Sequence, residues 1–232
     1  MWAILSGIEG NLSAYEAVMA DIKRQSRYIE ALYIIGDLVG PRQESEELVQ
    51  RVKSQRRGEL APMICKGWWE EQCLILHSLG ATGEPTELIH KHGIDSTKQL
   101  WDAVSLETVQ WLRNLDFGFV ELDCLLIHGS SVSVSEELTP DTPPWQILDR
   151  LQRVGVNNLF CGRAGQVFDY SLQSANLTST VTTLDKRQPS QTLTIQDKRL
   201  IGVGSVGKEL NKAVYTLYNP SNNCVEFRTV PY

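Results

Sequence analysis

The stretch Ala31-Leu32-Tyr33-Ile34-Ile35-Gly36-Asp37-Leu38-Val39-Gly40 decides the fold of this chain. Its apolar run, Leu32 to Ile35, is uninterrupted, which is typical of a strand covered on both faces of a sheet. The run ends at Gly36-Asp37, so a carboxylate follows the carboxyl end of a buried strand. Ligands of open α/β sheets bind at that edge. Asp37 is therefore the first candidate for chemistry, although it could equally serve to cap its own loop.

Strands and helices alternate on both sides of this stretch. Apolar runs predict further strands at Trp2–Leu5, Pro62–Cys65, Phe117–Leu122, Leu125–His128, Asn158–Cys161, Val167–Leu172, Leu193–Ile195, Leu200–Val203, Ala213–Tyr218 and Cys224–Val230. Helical spacing and start signals predict helices at Asn11–Ile22, Glu44–Val52, Trp68–Leu79, Ser96–Val104, Leu106–Leu115 and Pro143–Val154. The segment Ala81–Ile94 is predicted to be irregular, and Ser174–Gln191 to be a surface excursion. The alternation indicates an α/β fold with a parallel sheet, in a single domain of residues 1–232.

Composition narrows the class of protein. The 232 residues are 42% hydrophobic and 22% charged, with a net charge of -6, which does not favour a nucleic acid or an anionic membrane as partner. The sequence has no apolar run of about 20 residues and no signal-peptide pattern at its start. Its five cysteines are widely spaced, and three lie in apolar runs. We therefore expect reduced core cysteines and a cytoplasmic protein.

Polar or glycine-containing turns follow five of the predicted strands. They are Gly7-Ile8-Glu9, Gly36-Asp37, Gly67-Trp68-Trp69, His128-Gly129 and Gly162-Arg163. Since the carboxyl ends of parallel strands meet at one edge, these turns should form a pocket that contains Glu9, Asp37, His128 and Arg163.

Five sequence blocks in this order resemble the calcineurin-like metallophosphoesterases, in their small bacterial branch. Those blocks are Ile4–Ala14, similar to LSDIHGNLPA; Ile35–Gly40, similar to LGDLVG; Ile127–Ser130, similar to VHGS; Gly204–Gly207, similar to the end of NPGSVG; and the tail segments Ala213–Tyr215 and Val230–Tyr232. The resemblance implies a four-layer α/β/β/α sandwich of the metallophosphoesterase type. It also implies two metal ions at the strand ends, which activate a water for displacement at phosphorus.

The resemblance fails at most of the positions where that family holds its metals. Gly7 and Glu9 stand where the first motif has Asp and His, Trp68 and Trp69 replace an Asn ligand and a catalytic His, and Arg163 and Gly165 replace two His ligands. The residual metal positions are Asp37 and His128, with Glu9 as an oxygen donor. We therefore predict a degenerate site with a pocket formed by Arg163, Trp68, Trp69, Gly7, Gly67, Gly129 and Gly165.

Each of these residues also has a structural interpretation. We favour loop-holding hydrogen bonds over metal ligation for Asp37 and His128, and helix packing over substrate stacking for the two tryptophans. Glu9 is either solvated or part of the pocket. An arginine cannot ligate a metal, so we expect Arg163 to form an ion pair with Asp37 or Glu9.

The leading functional hypothesis is a catalytically inactive binding or scaffolding protein, a pseudoenzyme without a cofactor. One alternative is a phosphoesterase that acts on phosphomonoesters or phosphodiesters with a rearranged or single divalent metal, such as Mn, Fe, Zn or Mg. The other is a phosphate- or anion-binding module. The partner is either a protein or a small phosphorylated ligand, and Ser174–Gln191 and the C-terminal strands are candidate surfaces for a homo-oligomer.

Two further motifs resemble binding sites but lack the structural setting that such sites require. Gly202–Gly207 fits G-x-G-x-x-G, but a strand rather than a helix is predicted after it, so it lacks the βαβ setting of a dinucleotide site. His90-Lys91-His92 has no third ligand nearby and is predicted to lie on the surface.

Overall fold

The computed structural model describes residues 1–25, 28–80, 84–173, 175–179 and 191–232. Its helices are α1 (Leu12–Arg24), α2 (Ser45–Lys53), α3 (Trp68–Leu76), α4 (Thr86–Asp102), α5 (Leu106–Arg113) and α6 (Pro144–Gln152). Its strands are β1 (Trp2–Leu5), β2 (Ala31–Ile35), β3 (Met63–Cys65), β4 (Gly118–Glu121), β5 (Cys124–Ile127), β6 (Asn158–Cys161), β7 (Val167–Leu172), β8 (Ala175–Ser179), β9 (Gln191–Ile195), β10 (Lys198–Val203), β11 (Lys212–Asn219) and β12 (Cys224–Pro231).

The described strands form two five-stranded sheets and a separate β8–β9 ladder. The first sheet has the order β12-β11-β1-β2-β3, and the second has the order β4-β5-β6-β10-β7. Each sheet contains three adjacent parallel strands. They are β1-β2-β3 in the first sheet and β5-β6-β10 in the second. The remaining strands pair antiparallel, so both sheets are mixed. The parallel strands bring their carboxyl ends to one edge, as predicted.

Three apolar layers separate the sheets and helices. Helices α1 to α5 pack on the outer face of the first sheet, and α6 packs on the outer face of the second. Between the sheets lies an aromatic layer that includes Trp2, Tyr33, Phe160 and Tyr218, with ring centroids 4.8 Å apart for the last two. The predicted four-layer α/β/β/α sandwich is confirmed.

The segment between α3 and α5 differs from its prediction. Residues 86–94, expected to be irregular, belong to α4, which begins at Thr86. Gly93 interrupts that helix with a φ of 78°, and this break hides the helical spacing in the sequence. Residues 81–83 lie outside the described part of the chain. The start of α1 also differs, because Asn11 caps it by accepting the Ala14 N–H at 3.1 Å.

The surface excursion predicted at Ser174–Gln191 falls largely on residues outside the described part of the chain. Its first part, Ala175–Ser179, forms β8 and pairs with β9. All five cysteines are free thiols, and four of them are buried. Among the described helices, none combines the length and the apolar character needed to cross a bilayer.

Candidate functional site

Backbone hydrogen bonds gather the strand-end loops into one site. Glu9 N–H donates to Asp37 O at 2.9 Å, which joins the loops that follow β1 and β2. Arg163 N–H donates to His128 O at 2.8 Å, which joins the loops that follow β5 and β6. The loop after β10 joins the same edge, because Gly207 N–H donates to Gly7 O at 2.8 Å and Ser205 Oγ donates to the same oxygen. The site is therefore assembled from segments far apart in the sequence.

Asp37 and His128 form a buried pair at the centre of this edge. His128 Nε2 lies 3.1 Å from Asp37 Oδ2, and Asp37 Oδ1 accepts the Trp69 N–H at 2.8 Å. His128 Nδ1 lies 2.9 Å from Ile35 O, and since a carbonyl oxygen only accepts, this nitrogen carries a proton. Burial opposes ionisation of both groups. Even so, Asp37 raises the pKa of His128 and His128 lowers that of Asp37, which favours the ion pair.

A third buried side chain, Glu70, holds the Asp37 loop. Its carboxylate accepts backbone N–H groups from Gly67 at 2.7 Å, Asp37 at 2.8 Å and Val39 at 2.9 Å. These bonds hold Asp37 in the left-handed region, at a φ of 55°, where non-glycine residues are uncommon. Burial and the charge of Asp37 raise the pKa of Glu70 to about 7, whereas the three donors favour its ionised form. The sequence signal for this role is an acid three residues after the helix cap Gly67, and it was missed.

Trp68 and Trp69 begin α3 and pack against each other, with ring centroids 4.8 Å apart. Trp68 is fully buried, and the His92 ring lies 4.7 Å from Trp69. The carbon at the centre of the Arg163 guanidinium lies 4.5 Å from the Trp68 ring centroid, a cation–π contact. The tryptophans therefore join the helix core and also form an aromatic wall beside the site.

The predicted ion pair of Arg163 with Asp37 or Glu9 is wrong. Arg163 Nη2 lies 3.4 Å from Glu137 Oε1, and within the described residues it forms no ion pair with either predicted partner. The physical reason is that His128 already neutralises Asp37, while the Trp68 face holds the guanidinium by cation–π attraction. Arg163 acts on Asp37 only through space. Burial raises the pKa of Asp37, and His128, the Trp69 N–H and, least of the three, the charge of Arg163 lower it.

A cavity of about 130 Å³ opens beside the Asp37–His128 pair. Of the predicted site residues, it is lined by Gly7, Glu9, Asp37, Trp69, Arg163 and Gly165. Burial and then the charge of Asp37 raise the pKa of Glu9 to about 7, while Lys208 and Arg42 oppose this rise. Glu9 is thus part of the pocket wall, one of its two predicted environments.

Other predicted site residues lie behind the cavity wall, and some lining residues were not predicted. His128, Trp68, Gly67 and Gly129 are in the first group. His92, Gly162, Ser205 and Lys208 are in the second. His92 is exposed, as predicted, and α4 also places its ring against Trp69 at the mouth of the cavity. Lys208 directly follows the Gly204–Gly207 block, which was a signal that the sequence offered.

The donor groups at this edge can be compared with those of a metal site. In the part of the chain that the structure describes, no three His, Cys, Asp or Glu side chains are grouped so that they could hold a metal. Of the two glycines at former ligand positions, Gly7 is closely packed, because a Cβ there would lie 2.6 Å from Ser205 Oγ. A Cβ at Gly165 would lie 3.3 Å from Lys208 Nζ, the end of a flexible side chain.

Comparison with known proteins gives structural neighbours only. No family model matches the sequence, and no curated protein matches it. A crystal structure of a hypothetical protein from Pyrococcus horikoshii OT3 superposes with a TM-score of 0.70 at 21% identity, over 100% of this chain and 89% of that one. A metallophosphoesterase from Sphaerobacter thermophilus superposes with a TM-score of 0.66 at 19% identity, over 100% and 88% of the two chains. At this identity the likeness shows the fold, which is that of the metallophosphoesterases.

Proposed function

We propose that this chain is a binding or scaffolding protein of the metallophosphoesterase fold, a pseudoenzyme that does not hydrolyse phosphate esters. One observation carries the proposal: Asp37 and His128, the two metal positions retained in the sequence, lie 3.1 Å apart and face each other. Asp37 also accepts the Trp69 N–H, and His128 Nδ1 lies 2.9 Å from Ile35 O and 3.4 Å from Ser6 Oγ. Both side chains are thereby used to connect the loops of the site.

The surrounding donor set supports this proposal. Two divalent ions require several carboxylate, imidazole or amide donors around each metal. Here Gly7 offers no side chain, Trp68 offers a fully buried ring, and Arg163 offers a fixed cation that repels metals. Glu9 is the remaining acid on the cavity wall beside Asp37. These residues do not fit a binuclear centre, so we derive no reaction step through a metal and propose no cofactor.

Metal content and turnover together test the proposal. The full chain would be purified with Mn²⁺ supplied, its metal measured by mass spectrometry, and its turnover of p-nitrophenyl phosphate and bis-p-nitrophenyl phosphate recorded. The Asp37→Asn variant would be treated identically. We expect substoichiometric metal and no turnover that differs between the two proteins. Stoichiometric metal with turnover that Asp37→Asn abolishes would instead establish a phosphoesterase with a rearranged site, using Mn, Fe, Zn or Mg.

A specific observation favours anion binding as a second candidate function. Arg163 and Lys208 both line the cavity, and Arg163 Nε is buried without a hydrogen-bond partner among the described residues. Phosphate oxygens are suited to such donors. Titration calorimetry with inorganic phosphate tests this candidate. Arg163→Ala should weaken phosphate binding about tenfold or more. The control is Arg153→Ala, which removes an exposed arginine at the end of α6 and should leave binding unchanged. Equal affinities would contradict it.

We also propose that the protein is cytoplasmic and belongs to the small bacterial branch that its sequence resembles. The free thiols support a reducing compartment. Its partner would be a protein or a small phosphorylated ligand, and the whole chain, residues 1–232, would act as a single domain.

A further inference from the structure

Strand β12 is a long free edge of the first sheet. It has eight residues, and in the described part of the chain β11 is its one strand neighbour. An uncovered edge presents unpaired backbone N–H and C=O groups that can bind another strand. The free backbone groups of β12 are therefore available to pair with another strand.

The ladder with β11 determines which backbone groups of β12 remain free. Tyr232 N–H donates to Asn211 O at 3.4 Å, and Val214 N–H donates away from β12, to Ser205 O. Antiparallel ladders alternate between hydrogen-bonded and non-bonded pairs. By this alternation the even-numbered residues of β12 face β11, for example in the pairs Tyr215–Arg228 and Leu217–Glu226. Three odd-numbered residues, Val225, Phe227 and Thr229, direct their N–H and C=O groups to the free edge, whereas Pro231, also odd-numbered, has no N–H.

We propose that two copies of this chain form a symmetric dimer by antiparallel pairing of β12 with β12. The two-fold axis passes beside Phe227, so that Phe227 pairs with Phe227 of the second copy and Val225 pairs with Thr229. In this register every free N–H of the three outward residues meets a carbonyl of the second copy. The two sheets then join into one continuous sheet across the dimer.

The charges on β12 are self-complementary in this register. Glu226 lies opposite Arg228 of the second copy, and Arg228 lies opposite Glu226, in non-bonded pairs whose Cβ atoms are about 5 Å apart. In one chain these side chains already share a face, since Arg228 Nη1 lies 3.1 Å from Glu226 Oε1 and Nη2 lies 3.3 Å from Asp21 Oδ2. Two-fold symmetry repeats each contact, as an isologous interface requires. This complementarity is the reason for choosing a second copy as the occupant.

The opposite face of β12 gives the interface an apolar centre. Phe227 is 38% exposed, and Val167 on the neighbouring edge strand β7 is 47% exposed. Together they line a groove of about 400 Å³ between the edges of the two sheets. The proposed pairing brings two such grooves together and covers both phenylalanine rings. The proposed dimer uses the C-terminal strands, which are also a candidate interface in the sequence. Its formation does not depend on whether the cavity binds a ligand.

Charge reversal tests the register. Sedimentation velocity on the full chain over a range of concentrations should show a monomer–dimer equilibrium. Glu226→Arg and Arg228→Glu should each weaken self-association by about tenfold or more, because like charges then face each other twice. An equimolar mixture of the two variants should form a heterodimer in native mass spectrometry, because both pairs become attractive again. Glu121→Arg, which reverses a charge on the distant edge strand β4, is the matched control and should dimerise as the wild type does.

A cysteine test covers the case in which Arg228→Glu loses stability beside Asp21. In a Cys224→Ser background, Phe227→Cys should form an intermolecular disulfide on mild oxidation, since residues in a bonded pair have Cα atoms about 5.5 Å apart. Thr229→Cys, on the same edge and face, should crosslink several-fold less, because it faces residue 225 of the second copy. A wild type that stays monomeric, or equal crosslinking of the two cysteine variants, would overturn the proposal.

Discussion

The carboxylate of Glu70 shows how much of the site rests on one side chain. It accepts three backbone N–H groups from two loops, among them that of Asp37, and it is completely buried. A buried N–H group that loses its acceptor costs its full desolvation free energy. Removing the Glu70 carboxylate should therefore destabilise the fold by more than the three lost hydrogen bonds alone.

We therefore predict that Glu70→Gln lowers the free energy of unfolding by about 1–3 kcal/mol. The amide replaces one acceptor oxygen by a donor, which faces backbone N–H groups that it cannot pair with. Urea titration measures the change. Glu107→Gln, an exposed acid in the first turn of α5, is the matched control, with an expected change within about 0.5 kcal/mol. Equal effects of the two substitutions would refute the role of Glu70.

Gly7 stands where the family motif has an aspartate, and restoring that residue should be costly. Gly7 has a φ of +59°, and a Cβ there would lie 2.6 Å from Ser205 Oγ. Gly58 has a similar φ of +83° but nothing within 4 Å, so Gly58→Asp reports the backbone cost alone. We expect Gly7→Asp to reduce the free energy of unfolding by at least about 1 kcal/mol more than Gly58→Asp does. Thermal and urea unfolding would measure both, and similar losses would show that the loop accommodates a side chain.

At the scale of elements, helices are connected by side chains that cap their neighbours. Glu46, near the start of α2, accepts the Ser105 N–H at 2.8 Å and the Thr108 hydroxyl at 2.9 Å, which joins α2 to the N-terminus of α5. Burial raises the pKa of Glu46, but these donors and Gln50 outweigh it and lower the pKa below its ordinary 4.5. The link between the two helices is therefore pH-dependent.

The sign of that dependence follows from the lowered pKa. Stability from Glu46 is present above pH 4.5, its ordinary pKa, and is lost as the pH falls through the lower value of the folded state. Glu46→Ala should cost about 0.5–1.5 kcal/mol at pH 7. This difference from the wild type should shrink at pH 3, in urea titrations at both pH values. Glu47→Ala, an exposed acid in the same turn, should show a smaller and less pH-dependent loss. A Glu46 effect that is constant with pH would contradict the argument.

At the scale of the whole molecule, the aromatic layer between the sheets holds the two halves of the sandwich together. Phe160 of the second sheet contacts Tyr218 of the first, and both rings are almost fully buried. Since the core crosses from one sheet to the other, we expect one cooperative unit rather than two independent ones.

Phe160→Ala should lower the free energy of unfolding by about 3–5 kcal/mol, because it opens a cavity between the sheets. Tryptophan fluorescence and far-ultraviolet circular dichroism should report a single shared transition in both the wild type and the variant. Phe117→Ala, at a position that is 45% exposed, should have a much smaller effect. Two separate transitions would contradict the prediction of a single domain over residues 1–232.

The sequence predicted those features that depend on local patterns or on the order of motifs. Uninterrupted apolar runs identified the buried strands, and the turn after Ile35 placed Asp37 at the sheet edge, where the structure has it. The order of the five blocks indicated the four-layer sandwich. Helix α4 was only partly predicted, because Gly93 interrupts its periodicity.

Tertiary structure decided which side chains meet at the site. Arg163 faces Trp68 and Glu137 rather than Asp37, Glu70 holds the Asp37 loop, and Lys208 reaches the cavity. Arg163 and Trp68 are 95 positions apart in the chain (163 − 68), and such contacts depend on how sheets and helices pack. A residue's neighbours along the chain determine its secondary structure, whereas the direction of a side chain and its charged partners follow from desolvation and packing among distant segments.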